Sequence, residues 1–388
     1  MTDDSDLLRA AVRDALKQLS SSADVRRAMA TARGYEDASW RRLAGELGLP
    51  GLMLPEELGG AGLTAAELGI AFEEAGASLL CSPLFATAGL AVPLLTALGD
   101  AEALAEYGPR IASGELTATV ALAEDSGKWQ PGLIRATATR AAGGTAAGGW
   151  RLTGVKDYVV DGATAGLVLA VVTTGNGELA VFGVDDTAEG ADSGIGREQL
   201  VTLDQTRKQA RLTFNGTPAN GTPARRIGTG DASAAIARAT AVSRALLAAE
   251  QVGGAQRCLD MTVEYAKTRI QFGRAIGSFQ AIKQRLAEML ILVESARSAA
   301  YAALDAASAA ASETADGELE HIAAIAALTA GEACTHVTAQ AIQLHGGIGF
   351  TWEHDAHLYF KRARASAILL GTASELTDLI GQQLEALI

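Results

Sequence analysis

Apolar residues recur at helical spacing through the first hundred or so positions, in LLRAAVRDAL, WRRLAGELGL and TAAELGIAFEEAGASLL. Each run paints one apolar stripe on a helix, and loops rich in Pro and Gly, such as PEELGGAGL, separate them. Thr64 followed by Glu67 has capping-box spacing, which marks a helix start. The pattern predicts an N-terminal helical domain over residues 1–116.

From about Thr117 the period shortens. TATVALAE, LIRATATR, WRLTG, DYVVDG, LVLAVVTT, ELAVFGV and ARLTFNG are β-prone runs bounded by Gly, Asp, Asn or Pro. They predict a middle antiparallel β domain over residues 117–229, with RAAGGTAAGGW as a hairpin tip and GTPANGTPARRIG as a strand exit followed by a linker. Long Ala- and Leu-rich helical periods then return, opening ASAAIARATAV, FQAIKQRLAEM, ELEHIAAIAAL and ASELTDLIGQQ. Four such helices with short connections predict a C-terminal four-helix bundle over residues 230–388. The fold class expected is α+β, mainly helical.

Composition adds limits. With 388 residues and 48% hydrophobic content the chain is globular and long enough for two or three domains. A net charge of -13 argues against nucleic acid, and it makes any polyanionic ligand depend on individually placed arginines. Cys81, Cys258 and Cys334 lie far apart without C-x-x-C spacing, so buried, reduced thiols are expected. The acidic start, MTDDSDLLRA, lacks the apolar core of a leader peptide, and a cytoplasmic location is expected. The uncharged stretch from Ala75 to Gly99 is broken by Pro83 and Pro93; it reads as a buried helical region, with no membrane insertion expected.

Two strings carry candidate chemistry. Arg269-Ile270-Gln271-Phe272-Gly273, followed by Phe279, Gln280 and Lys283, places an arginine at a helix end beside a glycine turn. There it either caps carbonyls or offers a fork of donors to a pyrophosphate. Gln343-Leu344-His345-Gly346-Gly347 is a Gly-rich loop that follows a helix, where glycines admit a close backbone or phosphate and the glutamine amide both donates and accepts.

Together with LGLPGLMLPEELGGAGLTAAELGIAFEEAG and LTGVKDYVVDGATA, these strings resemble the acyl-CoA dehydrogenase family along essentially the whole chain. The resemblance implies FAD bound at a dimer interface, and a dimer or a tetramer of dimers. It assigns Arg269, Phe272, Phe279, Gln280 and the Gln343, Leu344, His345, Gly346, Gly347 loop to FAD, with Thr372 and Ser374 beside it and Tyr158 as an aromatic wall. Arg244, Leu370 and Gly371 match positions near the acyl thioester, where the Leu370 N–H would polarise the carbonyl.

The catalytic pattern departs from the family. The usual glutamate base, counted without a gap from Gln343, falls on Leu370, and the alternative family position falls on Ser243. Neither residue can abstract the α-proton. Glu250 lies about two helical turns (~11 Å) beyond Ser243 on roughly the same face, and is the replacement carboxylate to test against a buried or interface role. Ala123-Glu124-Asp125-Ser126-Gly127 and Tyr158-Val159-Val160 stand where the family carries flavin-facing hydroxyls, so two of these are missing. His354, Asp355 and His357 lack further ligands, and no metal is expected. Lys361-Arg362-Ala363-Arg364 reads as a solvated or interface helix face.

Three functions remain open on these residues. The first is α,β-dehydrogenation of an acyl-CoA with electrons passed to an electron-transfer flavoprotein, in a homo-oligomer. The second is a catalytically incomplete, FAD-sharing subunit of a heterotetramer with a related acyl-CoA dehydrogenase. The third is an oxygen-using oxidase of the same fold.

Overall fold

The computed structural model describes residues 3–140, 149–187, 194–217, 224–309 and 313–386. The N-terminal helices are α1 (Asp3–Leu19), α2 (Ser22–Met29), α3 (Asp37–Gly45), α4 (Ala65–Ala77), α5 (Val92–Leu98) and α6 (Ala101–Ala112). Thr64 caps α4 in a full capping box with Glu67. The uncharged stretch folds as a buried π-helical segment, Phe85–Ala91, running into α5. Pro93 is the second residue of α5, at the join with the π-helical segment, where its ring removes one backbone donor.

The strands are β1 (Ala118–Ala121), β2 (Thr137–Arg140), β3 (Trp150–Val160), β4 (Leu167–Thr174), β5 (Leu179–Asp185), β6 (Ile195–Gln199), β7 (Gln209–Thr217) and β8 (Arg225–Ile227). They form one sheet in the order β6-β7-β3-β2-β4-β5-β8, with β1 also against β4. The sheet is mixed: β1 and β2 run parallel to β4, and every other pairing is antiparallel. WRLTG and DYVVDG are one strand, β3, bent by a register shift between Lys156 and Val159. Arg225–Ile227 pairs with β5, so this part of the expected linker belongs to the sheet. Residues 141–148, most of the expected hairpin tip, and 218–223 lie outside the described residues. The sheet's inner face is apolar throughout, with Leu152, Val168, Val172, Phe182, Leu212 and Phe214 at its centre.

The C-terminal helices are α7 (Ser233–Thr268), α8 (Gln280–Ala307), α9 (Glu313–His345), α10 (Ala356–Leu369) and α11 (Ala373–Ala386). They include α10, which the string HDAHLYFKRAR forms in addition to the four long periods read from sequence. A two-residue hairpin, β9 (Ile270–Gln271) with β10 (Arg274–Ala275), follows α7. The α9 region is long and apolar enough to cross a membrane, but half of its most apolar window is buried within the protein.

By internal packing the chain divides into two compact units. One holds residues 1–27, 64–81 and 244–388 and is helical; the other holds 28–63 and 82–243 and contains the sheet. In the helical unit, Glu73 and Glu74 of α4 are buried under Arg9 and Arg13 of α1, Arg297 and Tyr301 of α8. Buried carboxylates of this kind persist because each is paired and hydrogen-bonded.

Candidate functional site

The helical unit gathers a set of exposed, unused donors and aromatics at the end of α7. The β9-β10 turn is Phe272-Gly273, and both residues have positive φ (53° and 78°). That geometry suits glycine at both places, so an aromatic at the first is strained. Phe272 is also 92% exposed, and among the described residues its ring makes an edge contact with Phe279. The Arg274 guanidinium lies 4.1 Å over the Phe279 ring. Arg269 is exposed, and among the described residues its guanidinium has no carboxylate partner.

The Gly-rich loop divides by direction. Gln343, Gly346 and Gly347 face outward, whereas Leu344 and His345 are turned inward. His345 hydrogen-bonds through Nδ1 to the Ala341 carbonyl oxygen and stacks between Tyr265 and His354. It ties the loop to α7, one turn before Arg269. A Cβ added at Gly346 or Gly347 would meet no atom of the chain within 4 Å, so open space lies beside both glycines. Thr372 is committed to its own helix, forming a capping box with Glu375 at the start of α11, while Ser374 is exposed.

At the base positions the structure finds no available carboxylate. Leu370 is 3% exposed, and its carbonyl accepts from Arg244 Nε at 2.9 Å. Burial pulls the Arg244 guanidinium below its ordinary value, against the opposing influence of Glu320 and Glu375. Gly371 has φ of 132° and leaves room for that guanidinium. Ser243 donates its hydroxyl within 2.6 Å of the Gly89 carbonyl oxygen, in the π-helical segment, or 2.8 Å of Ala239 O one turn back. Glu250 is buried in an ion pair with Arg362 of α10, Oε1 to Nη1 2.6 Å. The Lys361–Arg364 face is therefore not uniformly solvated: Arg362 and Ala363 are buried, and Lys361 packs over Trp352.

In the sheet unit, Tyr158 occupies the β3 bulge with φ of 57° and is 44% exposed. Its ring lies against Gly127, where an added Cβ would come within 3.2 Å. Below it, Lys156 is wholly buried and bonded to Glu124.

Comparison with known proteins follows this geometry. Residues 2–115 match the family described as acyl-CoA dehydrogenase, N-terminal domain, and residues 233–385 the acyl-CoA dehydrogenase C-terminal domain. Acyl-CoA dehydrogenase IpdE2 of Mycobacterium tuberculosis is 36% identical over 371 residues, covering 95% of this chain and 93% of that protein. This chain belongs to the acyl-CoA dehydrogenase family. Among solved structures, the Tcur3481-Tcur3483 steroid ACAD superposes with a TM-score of 0.83 at 29% identity, over 99% of this chain and 98% of that one. The ChsE4-ChsE5 complex from M. tuberculosis does so with a TM-score of 0.83 at 28% identity, over 99% and 98%.

Acyl-CoA dehydrogenases are FAD-dependent flavoproteins. The helical unit fits such a group on its own geometry: a guanidinium without an internal partner, an outward glutamine, two glycines beside open space and a strained exposed phenylalanine suit a pyrophosphate and adenosine. Of the residues assigned to FAD, Leu344 and His345 are buried, and the Thr372 hydroxyl is engaged by Glu375. Two residues near these elements were not singled out from sequence, Arg274, over the Phe279 ring, and Lys156, bonded to Glu124. The only sequence signal for Lys156 is a lone ammonium inside the β-prone run LTGVKDYVV.

Proposed function

We propose that this chain is the FAD-sharing, catalytically incomplete subunit of a heteromeric acyl-CoA dehydrogenase. The assembly oxidises an acyl-CoA to its 2-enoyl-CoA and passes electrons to an electron-transfer flavoprotein. One observation carries the reading: Leu370, Ser243 and Glu250 are each closed as a base, the first by chemistry, the second by its bond to backbone carbonyls and the third by Arg362. The chemistry a bound FAD would supply is hydride acceptance. This chain's residues would then bind and orient: Arg269, Gln343 and Gly346 would hold the dinucleotide, and Arg244, bonded to the Leu370 carbonyl, would fix the Leu370–Gly371 backbone whose N–H would polarise the thioester oxygen. The related subunit supplies the carboxylate that takes the α-proton.

The heteromeric ChsE4-ChsE5 structure and the steroid ACAD support this reading, and the latter favours a sterol-derived acyl group. Production of the chain alone and together with a related acyl-CoA dehydrogenase tests it. Acyl-CoA-dependent flavin bleaching is expected only in the pair, at about half an FAD per chain. Full FAD occupancy with turnover by the chain alone would establish a self-sufficient enzyme instead, and peroxide release without an added acceptor would mark an oxidase.

A further inference from the structure

Among the described residues of the sheet unit, Lys156 is the most deeply buried charge, at 0% exposure. Its ammonium donates to the Leu122 carbonyl oxygen at 3.0 Å and to Glu124 Oε1 at 2.9 Å. Glu124 in turn accepts from the backbone N–H groups of Arg135 (3.0 Å) and Ala136 (2.9 Å), just before β2. Asp157 N–H donates to Ala123 O at 2.9 Å, and the Asp157 carboxylate faces Arg211 rather than Lys156. Three segments, the exit of β1, the approach to β2 and the bulge of β3, are thus joined at one buried ion pair. Both Lys156 and Asp157 point inward, which is what ejects Tyr158 onto the surface against Gly127. Breaking the bulge register would return Tyr158 to the core side.

We infer that Lys156, through Glu124, is a positioning residue that sets the Ala123–Gly127 turn and the Tyr158 ring for the flavin; this rests on the FAD reading above. The two hydroxyls missing from these stretches leave backbone and ring placement as what the sheet unit offers a flavin. A depressed ammonium agrees with the arrangement: burial lowers Lys156 to about 8, against the pull of Glu124. The neighbouring Arg135–Asp125 pair is at the surface, with most of both side chains exposed.

The test uses the FAD-bearing assembly with Lys156→Met, which keeps the stem and removes the charge. Amide exchange at Asp157, Arg135 and Ala136 is expected to quicken at least tenfold, the FAD dissociation constant to rise about tenfold, and any shift of the flavin absorption band between pH 7 and 9 to disappear. Wild-type values for FAD affinity and band overturn the inference, whether or not the amides exchange faster. If Lys156→Met does not fold, Glu124→Gln must give a smaller change in the same direction, and no change overturns it. A wild-type assembly without FAD overturns the functional reading and this inference together, whereas a wild type with FAD and an indistinguishable variant overturns the inference alone.

Discussion

At the scale of single residues, the partner of a carboxylate decides its role more than its position. Glu250 falls on the face of α7 where a displaced base would be sought, and helical spacing makes that legible. Its partner Arg362 lies 112 residues away, which no local pattern reveals. Removing one member of a buried pair strands the other, at a cost of about 3–5 kcal/mol. Glu250→Gln is therefore expected to lose that much in chemical denaturation while turnover per folded assembly stays within about twofold; turnover abolished at unchanged stability would make Glu250 the base. Lys156 gives a second expectation. Its ammonium titrates near 8 folded and at its ordinary value, near 10.5, unfolded. Between those values the unfolded chain holds more protons, so on this group's account stability rises with pH from about 8 to 10.5, and below 8 the full burial cost remains. Urea midpoints across that window should rise in the wild type relative to Lys156→Met.

Among elements, the periodicities locate most of the helices and strands, and they fail where pairing overrides local pattern. β6, as IGREQ, has little β-prone character and exists because β7 offers its edge. β3 reads as two strands because its bulge breaks the alternation. Helix contact is just as non-local. A Cβ at Gly253 of α7 would lie 1.8 Å from Glu73 O, and one at Gly76 of α4 1.9 Å from Glu250 O. The two helices therefore cross with their backbones in contact, and the buried Glu73 and Glu250 sit on either side of that crossing. Gly253→Ala has no flexible neighbour to displace, and should destabilise by roughly 1–3 kcal/mol or more, the range for overpacking. A thermal midpoint equal to that of the wild type would show that the helices slide freely. Thr64→Ala, which loses only a cap, should cost about 1 kcal/mol in the same measurement.

For the whole molecule, the motifs that resemble the family mark the residues proposed to hold the flavin dinucleotide, yet which of them face outward depends on tertiary packing. His345 and Leu344 share the Gly-rich string with Gln343 but are turned inward, His345 against the Tyr265 ring. What remains outside is apolar as well as polar: Phe272 is 92% exposed, Phe350 81% and Trp352 59%, on loops that the Tyr265-His345-His354 stack joins. Exposed aromatics, with Phe272 three residues from Arg269, have the composition of an interface core. Phe272 adds to this a backbone strain that its own chain does not repay. A second subunit closing over this surface would bury these rings and a dinucleotide held by Arg269 together, so assembly and FAD retention should be one event. Phe272→Ser is then expected to weaken subunit association at least tenfold in sedimentation velocity and to release FAD in parallel. The chain's own unfolding midpoint should stay unchanged, since an exposed ring contributes little to a monomer. FAD loss without dissociation would assign Phe272 to the cofactor alone, and dissociation with FAD retained on one subunit would separate the two surfaces.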